Sequence, residues 1–134
     1  MENEKINIIL VDDLVSTRRG LKALLEFEPR IVISGEANNG IEAIRLVDEK
    51  QPDLVLMDVR MPVLDGLKAT QQIKSAWPNV KIVVYTMYPG YQAEAYQAGA
   101  DYFLIKGCSG VTPSQIILSF FPLNTLNPES YAQT

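Results

Sequence analysis

The sequence of 134 residues contains no histidine. That absence removes imidazole metal ligands, histidine general bases and serine–histidine triads together. A lone cysteine, Cys108, leaves no internal disulfide and suits a reducing, cytoplasmic setting. No apolar run approaches the roughly 20 residues of a membrane-spanning helix. The first residues include Glu2 and Glu4 and lack a basic start followed by an apolar core, so a secretory leader is not expected. Positive charge is also scarce. Twelve basic residues against 16 acidic ones give a net charge of −4, and bulk attraction to nucleic acid or to a membrane surface is not expected. Neither internal repeats nor low-complexity segments occur. A chain of this length fits one domain, able to bury roughly two thirds of its unfolded surface without a staple.

What is present is a repeated strand–helix alternation. Leu54-Val55-Leu56-Met57 is a short continuous apolar run between turn signals, the pattern of a strand buried on both faces, and it ends on Asp58. Four further runs read the same way: Ile6 to Val11, Ile31 to Ala37, Val80 to Tyr85 and Tyr102 to Ile105. Between them lie helical patterns. The first covers about residues 14–27, with Leu14, Leu21, Leu24 and Leu25 at helical spacing. The second carries Ile41, Ile44 and Val47, the third Leu67, Thr70 and Ile73, and the fourth begins at Pro89-Gly90 and is rich in alanine. Thr112-Pro113 has the form of an N-cap followed by proline at the first helical position, opening a short last helix with Ile116, Ile117, Phe120 and Phe121. Proline and asparagine break the pattern beyond it, so residues 1–121 read as the domain and 122–134 as a tail or linker. Five strands alternating with helices predict an α/β fold with a parallel sheet and helices on both faces. The commonest small solution is flavodoxin-like, with strand order 2-1-3-4-5 and a ligand crevice at the carboxyl ends of strands one and three.

That crevice collects the polar strand ends. Asp12 and Asp13 follow the first strand, Asp58 the third, Thr86 the fourth and Lys106 the fifth, at spacings of 45, 28 and 20 from Asp13 onward. Crowded carboxylates raise one another's proton affinity, and a hard divalent cation relieves the crowding. Mg²⁺ takes oxygen ligands and accepts phosphate as a further one. Lys106 adds a point charge and Thr86 a hydroxyl. Such a pocket suits a phosphoryl group, with Asp58 as the attacking carboxylate and electrostatics stabilising the equatorial oxygens. Each residue also has a plainer role open to it. Asp12 and Asp13 could cap the first helix, Asp58 could be a turn residue, Thr86 suits a strand end anyway, and Lys106 could be a solvated charge.

Taken together, Asp12-Asp13, Leu56-Met57-Asp58 with Met61-Pro62 and Asp65-Gly66, Thr86, and Ala98-Gly99-Ala100-Asp101 leading to Lys106 resemble the receiver domain of two-component response regulators over about residues 5–121. The Asp-Val-Arg-Met-Pro wording is similar to that of the subgroup carrying a LuxR-type DNA-binding domain, although no helix-turn-helix follows here. The resemblance implies a transcription-linked phosphorylation switch that catalyses only its own phosphoryl chemistry. Asp58 would be the phosphoacceptor. Mg²⁺ would be held by Asp13 directly, Asp12 largely through water, Asp58, and the backbone carbonyl of Arg60. Thr86 and Phe103 would be the switch pair, Lys106 the phosphate-binding lysine, and Arg60 and Tyr88 would line the entrance. The implied partner is a sensor histidine kinase or phosphotransfer protein. An output partner, an output domain or a second copy would meet the face formed by strand 4, helix 4 and strand 5. Two departures stand out: Gly107 replaces the usual proline after the lysine, and phenylalanine replaces tyrosine at 103. Five of the six tyrosines, Tyr85, Tyr88, Tyr91, Tyr96 and Tyr102, fall between strands four and five, either as groove packing or as an association face. The rival functions are a receiver-like scaffold that works without phosphorylation, and an aspartyl-phosphate hydrolase. The latter begins with an Asp-x-Asp motif, and here Leu14 follows Asp12-Asp13.

Overall fold

A computed structural model describes residues 4–107 and 110–123. Five strands, β1 (Ile6–Val11), β2 (Ile31–Ala37), β3 (Leu54–Met57), β4 (Lys81–Thr86) and β5 (Tyr102–Ile105), alternate with five helices, α1 (Val15–Leu25), α2 (Gly40–Lys50), α3 (Gly66–Ala76), α4 (Gln92–Ala98) and α5 (Pro113–Phe120). All strand pairs are parallel, in the order β2-β1-β3-β4-β5. This is the flavodoxin-like arrangement predicted from the sequence, with β1 and β3 adjacent.

The sheet separates two apolar layers. On one face, Ile9, Val11, Val55, Met57 and Val84 pack with Ala43, Val47, Ala69, Ile73 and Ala95. On the other, Ile8, Leu10, Leu54, Leu56 and Val83 pack with Leu21, Leu25, Ile116 and Ile117. Because β3 is buried along its whole length, each of its large side chains contributes about 1.5–3 kcal/mol relative to exposure. The carboxyl end of this strand is therefore a rigid mount.

Helix faces depart from the predicted spacing. Helix α1 ends at Leu25, short of residue 27, and only Leu21 and Leu25 of the four leucines are buried; Leu14 and Leu24 are exposed. In α2, Ile41 is exposed and Ala43 takes the inner position. Alanine lets the helix axis approach the sheet, so the small residue wins the contact. Proline 89 opens a single 3-10 turn (Pro89–Tyr91), and α4 follows it. Thr112 caps α5 with Pro113 at the first position, as predicted, and Gln115 completes a capping box that the sequence reading did not include. Phe120 and Phe121 are half-buried. The predicted tail, apart from Pro122 and Leu123, and the cysteine lie outside the described residues.

Two details position later chemistry. The pairing of β1 with β2 shifts at Ser34: Ile8 lies opposite Ile33, but Ile9 opposite Gly35 and Leu10 opposite Glu36. This bulge turns Glu36 to the α1 side of the sheet. Arg30, almost fully buried at the start of β2, donates from Nε to the carbonyl of Glu4 (3.2 Å) and from Nη2 to that of Phe121 (2.7 Å).

Candidate functional site

At the carboxyl edge of the sheet, β1 delivers Asp12 and Asp13, β3 delivers Asp58 and β5 delivers Lys106. One carboxylate oxygen from each of Asp12, Asp13 and Asp58 lies within 4.8 Å of the others, the one such acidic cluster among the described residues. The ammonium of Lys106 donates to Asp12 Oδ2 at 2.6 Å and to Asp58 Oδ2 at 3.1 Å. Asp58 Oδ1 accepts the backbone N–H of Val59 at 2.7 Å. Asp12 Oδ1 accepts the N–H of Leu14 at 2.9 Å. Asp12 thus serves the start of α1 with one oxygen and the cluster with the other; Leu14 at the cap position supplies no side-chain bond.

Burial and charge oppose one another here. Removal from water pushes the Asp58 carboxyl above its ordinary value; the Lys106 charge and hydrogen bond pull it down, and the neighbouring Asp12 pushes it up again. For Lys106, burial favours the neutral amine, but hydrogen bonds and charge from Asp12 and Asp58 outweigh it and the pKa rises. Three carboxylates facing one ammonium leave the cluster short of positive charge. Hard oxygen donors gathered this closely fit a small divalent cation.

Above the cluster is a cleft of about 200 Å³ lined by Asp13, Thr17, Asp58, Arg60, Tyr88 and Lys106, among others. Two larger clefts lie among the described residues, between α3 and α4 and beside Trp77, but neither gathers carboxylates around a buried ammonium. Arg60 and Tyr88 meet across the mouth: the guanidinium carbon is 4.6 Å from the ring centroid. Tyr88 in turn meets Tyr91 edge-to-face, with ring centroids 6.3 Å apart. Thr86 is brought to the same edge but is fully buried, its Oγ1 accepting the N–H of Tyr88 at 3.4 Å. Phe103 lies in the core, away from solvent, and its N–H donates to the Tyr96 hydroxyl at 3.1 Å. The tyrosines divide. Tyr88 and Tyr96 are exposed, whereas Tyr85, Tyr91 and Tyr102 are half-buried. Gly107 has φ +79°, and no peptide bond among the described residues is cis.

The loop after Asp58 explains the Asp65-Gly66 pair. Asp65 caps α3, accepting the N–H of Lys68 at 2.9 Å. A Cβ at Gly66 would lie 1.8 Å from the Asp58 carbonyl oxygen. Glycine is required there because α3 presses directly on the residue that carries the central carboxylate.

Sequence reading missed Arg18, Glu36 and Lys22. Arg18 donates through Nη1 to the backbone carbonyl of Asp12 and through Nε to Glu36 Oε1 at 3.2 Å; Lys22 reaches Glu36 Oε2 at 3.4 Å. No local motif joins residues 18 and 36. The one available signal was a carboxylate in a largely apolar edge strand.

Comparison with known proteins accords with this geometry. The family model described as response regulator receiver domain matches residues 8–117. Among curated relatives, the uncharacterized transcriptional regulatory protein YxjL of Bacillus subtilis (strain 168) is 38% identical over 108 residues, covering 79% of this chain and 50% of the relative. The transcriptional regulatory protein LnrK of the same organism is 37% identical over 116 residues, covering 85% of this chain and 53% of the relative. The chain thus spans about half the length of these relatives. Among solved structures, a two-component response regulator of the LuxR family from Aurantimonas sp. SI85-9A1 superimposes with a TM-score of 0.78 at 30% identity, covering 87% of this chain and 83% of the other. No described helix is long and apolar enough to cross a membrane. With its strand order, its acidic edge and a family match over most of its length, the chain belongs to the response regulator receiver domains, whose signalling depends on phosphorylation.

Proposed function

We propose that this chain is a cytoplasmic, magnesium-dependent phosphoryl switch in which Asp58 accepts the phosphoryl group of a phosphohistidine on a sensor histidine kinase or phosphotransfer protein. The observation that carries this reading is the Asp58 carboxylate itself: nearly buried at the end of a rigid strand, bonded to Lys106, and within reach of Asp12 and Asp13. A carboxylate oxygen of Asp58 would form the new bond to phosphorus as the phosphorus–nitrogen bond of the donor breaks, and the imidazole would leave with the bonding pair. Asp12, Asp13, Asp58 and the backbone carbonyl of Arg60 would hold Mg²⁺; when bound, the ion supplies positive charge to the phosphoryl oxygens. Lys106 balances charge from the opposite side. Its two present bonds, to Asp12 and Asp58, orient it toward that position.

Transfer replaces a single negative charge on Asp58 with a larger one. Thr86, whose hydroxyl engages the Tyr88 N–H, would be drawn toward the new oxygens, and the loop after β4 would follow. Phe103 would respond as the aromatic partner of that movement. Arg60 and Tyr88, stacked at the mouth, would govern access of water and hence phosphoryl lifetime. The altered face of β4, α4 and β5, with exposed Tyr96, would then address a second copy, a partner or an output domain in transcription control.

Intact mass after incubation with Mg²⁺ and acetyl phosphate tests this. The expected result is a gain of one phosphoryl group, lost in Asp58→Asn and in EDTA. No gain by the folded parent protein would reject the switch and favour a scaffold independent of phosphorylation.

A further inference from the structure

We infer that Arg18 is a positioning residue for the metal-binding turn, and that Glu36 is present to cancel its charge. The inference rests on the magnesium site proposed above and assigns two residues outside it.

Asp12 is held at four points. Its N–H donates to the Ala37 carbonyl at 3.0 Å, its two carboxylate oxygens accept from Leu14 and Lys106, and its carbonyl accepts from the Arg18 guanidinium. The last contact is the one that fixes the peptide joining Asp12 to Asp13. That peptide sets the direction in which the Asp13 carboxylate leaves the backbone. Arg18 comes from the first turn of α1, its side chain only 14% exposed, so its fork cannot wander.

A guanidinium bonded to the peptide between Asp12 and Asp13 has a cost. Its positive charge opposes binding of a cation by those two carboxylates. Glu36 removes that cost, being bonded to Arg18 Nε at 3.2 Å. The bulge at Ser34 is what makes the pairing possible, because it moves Glu36 into register with Leu10 on the α1 side. In unbroken register Gly35 would stand there, with no side chain to answer Arg18. The Arg18–Glu36 pair therefore supplies geometry while adding little net field of its own, and Lys22, the second cation on Glu36, is exposed enough for water to screen it.

The two roles predict opposite signs. If Arg18 acted only through its charge, Arg18→Met would tighten Mg²⁺ binding. As a positioning residue it should weaken binding, by about tenfold, the lower end of the effect of removing an outer-shell partner from a metal site. Arg18→Lys should recover little, because an ammonium lacks the planar fork that engages two acceptors. Glu36→Gln keeps a hydrogen-bond acceptor and shape but frees the Arg18 charge, so it too should weaken binding, by severalfold, and more at low salt.

Calorimetric titration of the full chain with MgCl₂ alone gives the affinities, and melting in EDTA reports the fold separately. Phosphoryl uptake at saturating Mg²⁺ should approach that of the parent in all three variants, since the defect lies in metal affinity. Unchanged or tighter Mg²⁺ binding by folded Arg18→Met overturns the inference. So does an unchanged affinity in Glu36→Gln, which decides the matter if the Met variant fails to fold. A parent protein that does not bind Mg²⁺ at all overturns the site reading and this inference with it.

Discussion

The two ends of the sheet each hold a lysine bonded to aspartate, and they are built for different purposes. At the amino edge, Lys74 of α3 donates to the carbonyls of Pro78 (3.0 Å) and Val80 (2.9 Å) and to Asp101 Oδ2 (3.0 Å). Asp101 Oδ2 also accepts the Ile82 N–H at 2.8 Å. One cation meets one carboxylate, and every hydrogen of the ammonium has an acceptor. At the carboxyl edge, Lys106 meets two of three clustered carboxylates and the third, Asp13, stands beside an open cleft. The amino edge is electrically closed and serves stability. The carboxyl edge is short of positive charge and has oxygen donors left over for a cation. A lysine–aspartate contact therefore says little until the surrounding charges are counted.

Glycines at each end make the same distinction. A Cβ at Gly66 would strike the Asp58 carbonyl, whereas one at Gly99, where φ is +108°, would meet the flexible stem of Lys74 at 3.1–3.2 Å. The largest effect we predict is for Gly66→Ala: a backbone clash at 1.8 Å cannot relax without moving Asp58 or α3, so urea unfolding should show a loss of at least about 3 kcal/mol. A near-neutral result would mean that the carboxyl edge is less tightly packed than the amino edge.

Next comes Lys74→Met. It strands Asp101 and two carbonyls. Fully buried pairs lose about 3–5 kcal/mol when broken, and we expect roughly 2 kcal/mol here because both side chains keep some exposure. Added Mg²⁺ should not repair this loss. Lys106→Met should cost a similar amount in EDTA, about 2 kcal/mol, because Lys106 and its two partners are no more exposed than Lys74 and Asp101; here Mg²⁺ should restore the loss, since a divalent ion can take over the charge balance that the ammonium supplied. Equal response of the two variants to Mg²⁺ would erase the contrast between the edges.

The smallest effect has the opposite sign. Burial raises the Asp58 pKa despite Lys106. A carboxyl raised in the folded state contributes stability below its unfolded pKa and loses that contribution as pH rises through the folded value. Asp58→Asn should therefore melt slightly higher than the parent at neutral pH in EDTA, and the difference should close as pH falls below the ordinary carboxylate range. A variant that melts lower at neutral pH would show that the Lys106 pairing outweighs burial.

Much of this was legible in the sequence, for identifiable reasons. Strands β1, β2 and β5 have the predicted bounds because β-branched and apolar runs flanked by turns leave little choice. The polar ends Asp12, Asp13, Asp58 and Lys106 converge because parallel topology gathers carboxyl ends on one edge. Helix faces were harder. Leu24 and Ile41 carry strong apolar signals yet face water, while Ala43, Ala69 and Ala95, with weak ones, fill the contacts with the sheet. The pairs Lys74–Asp101 and Arg18–Glu36 were invisible because each depends on three-dimensional closure, and the second also on a one-residue bulge.

Arg30 has one more consequence. Its guanidinium bridges the backbone at Glu4 and at Phe121, so the point where the chain enters the sheet and the point where it leaves the last helix are a single side chain apart. A module whose two ends meet can be spliced into a host loop, or cut open elsewhere and rejoined by a few residues, at little loop-closure cost. The same bridge makes the domain a cassette: whatever is joined at either end starts from one fixed spot, on the side of the sheet farthest from the acidic edge.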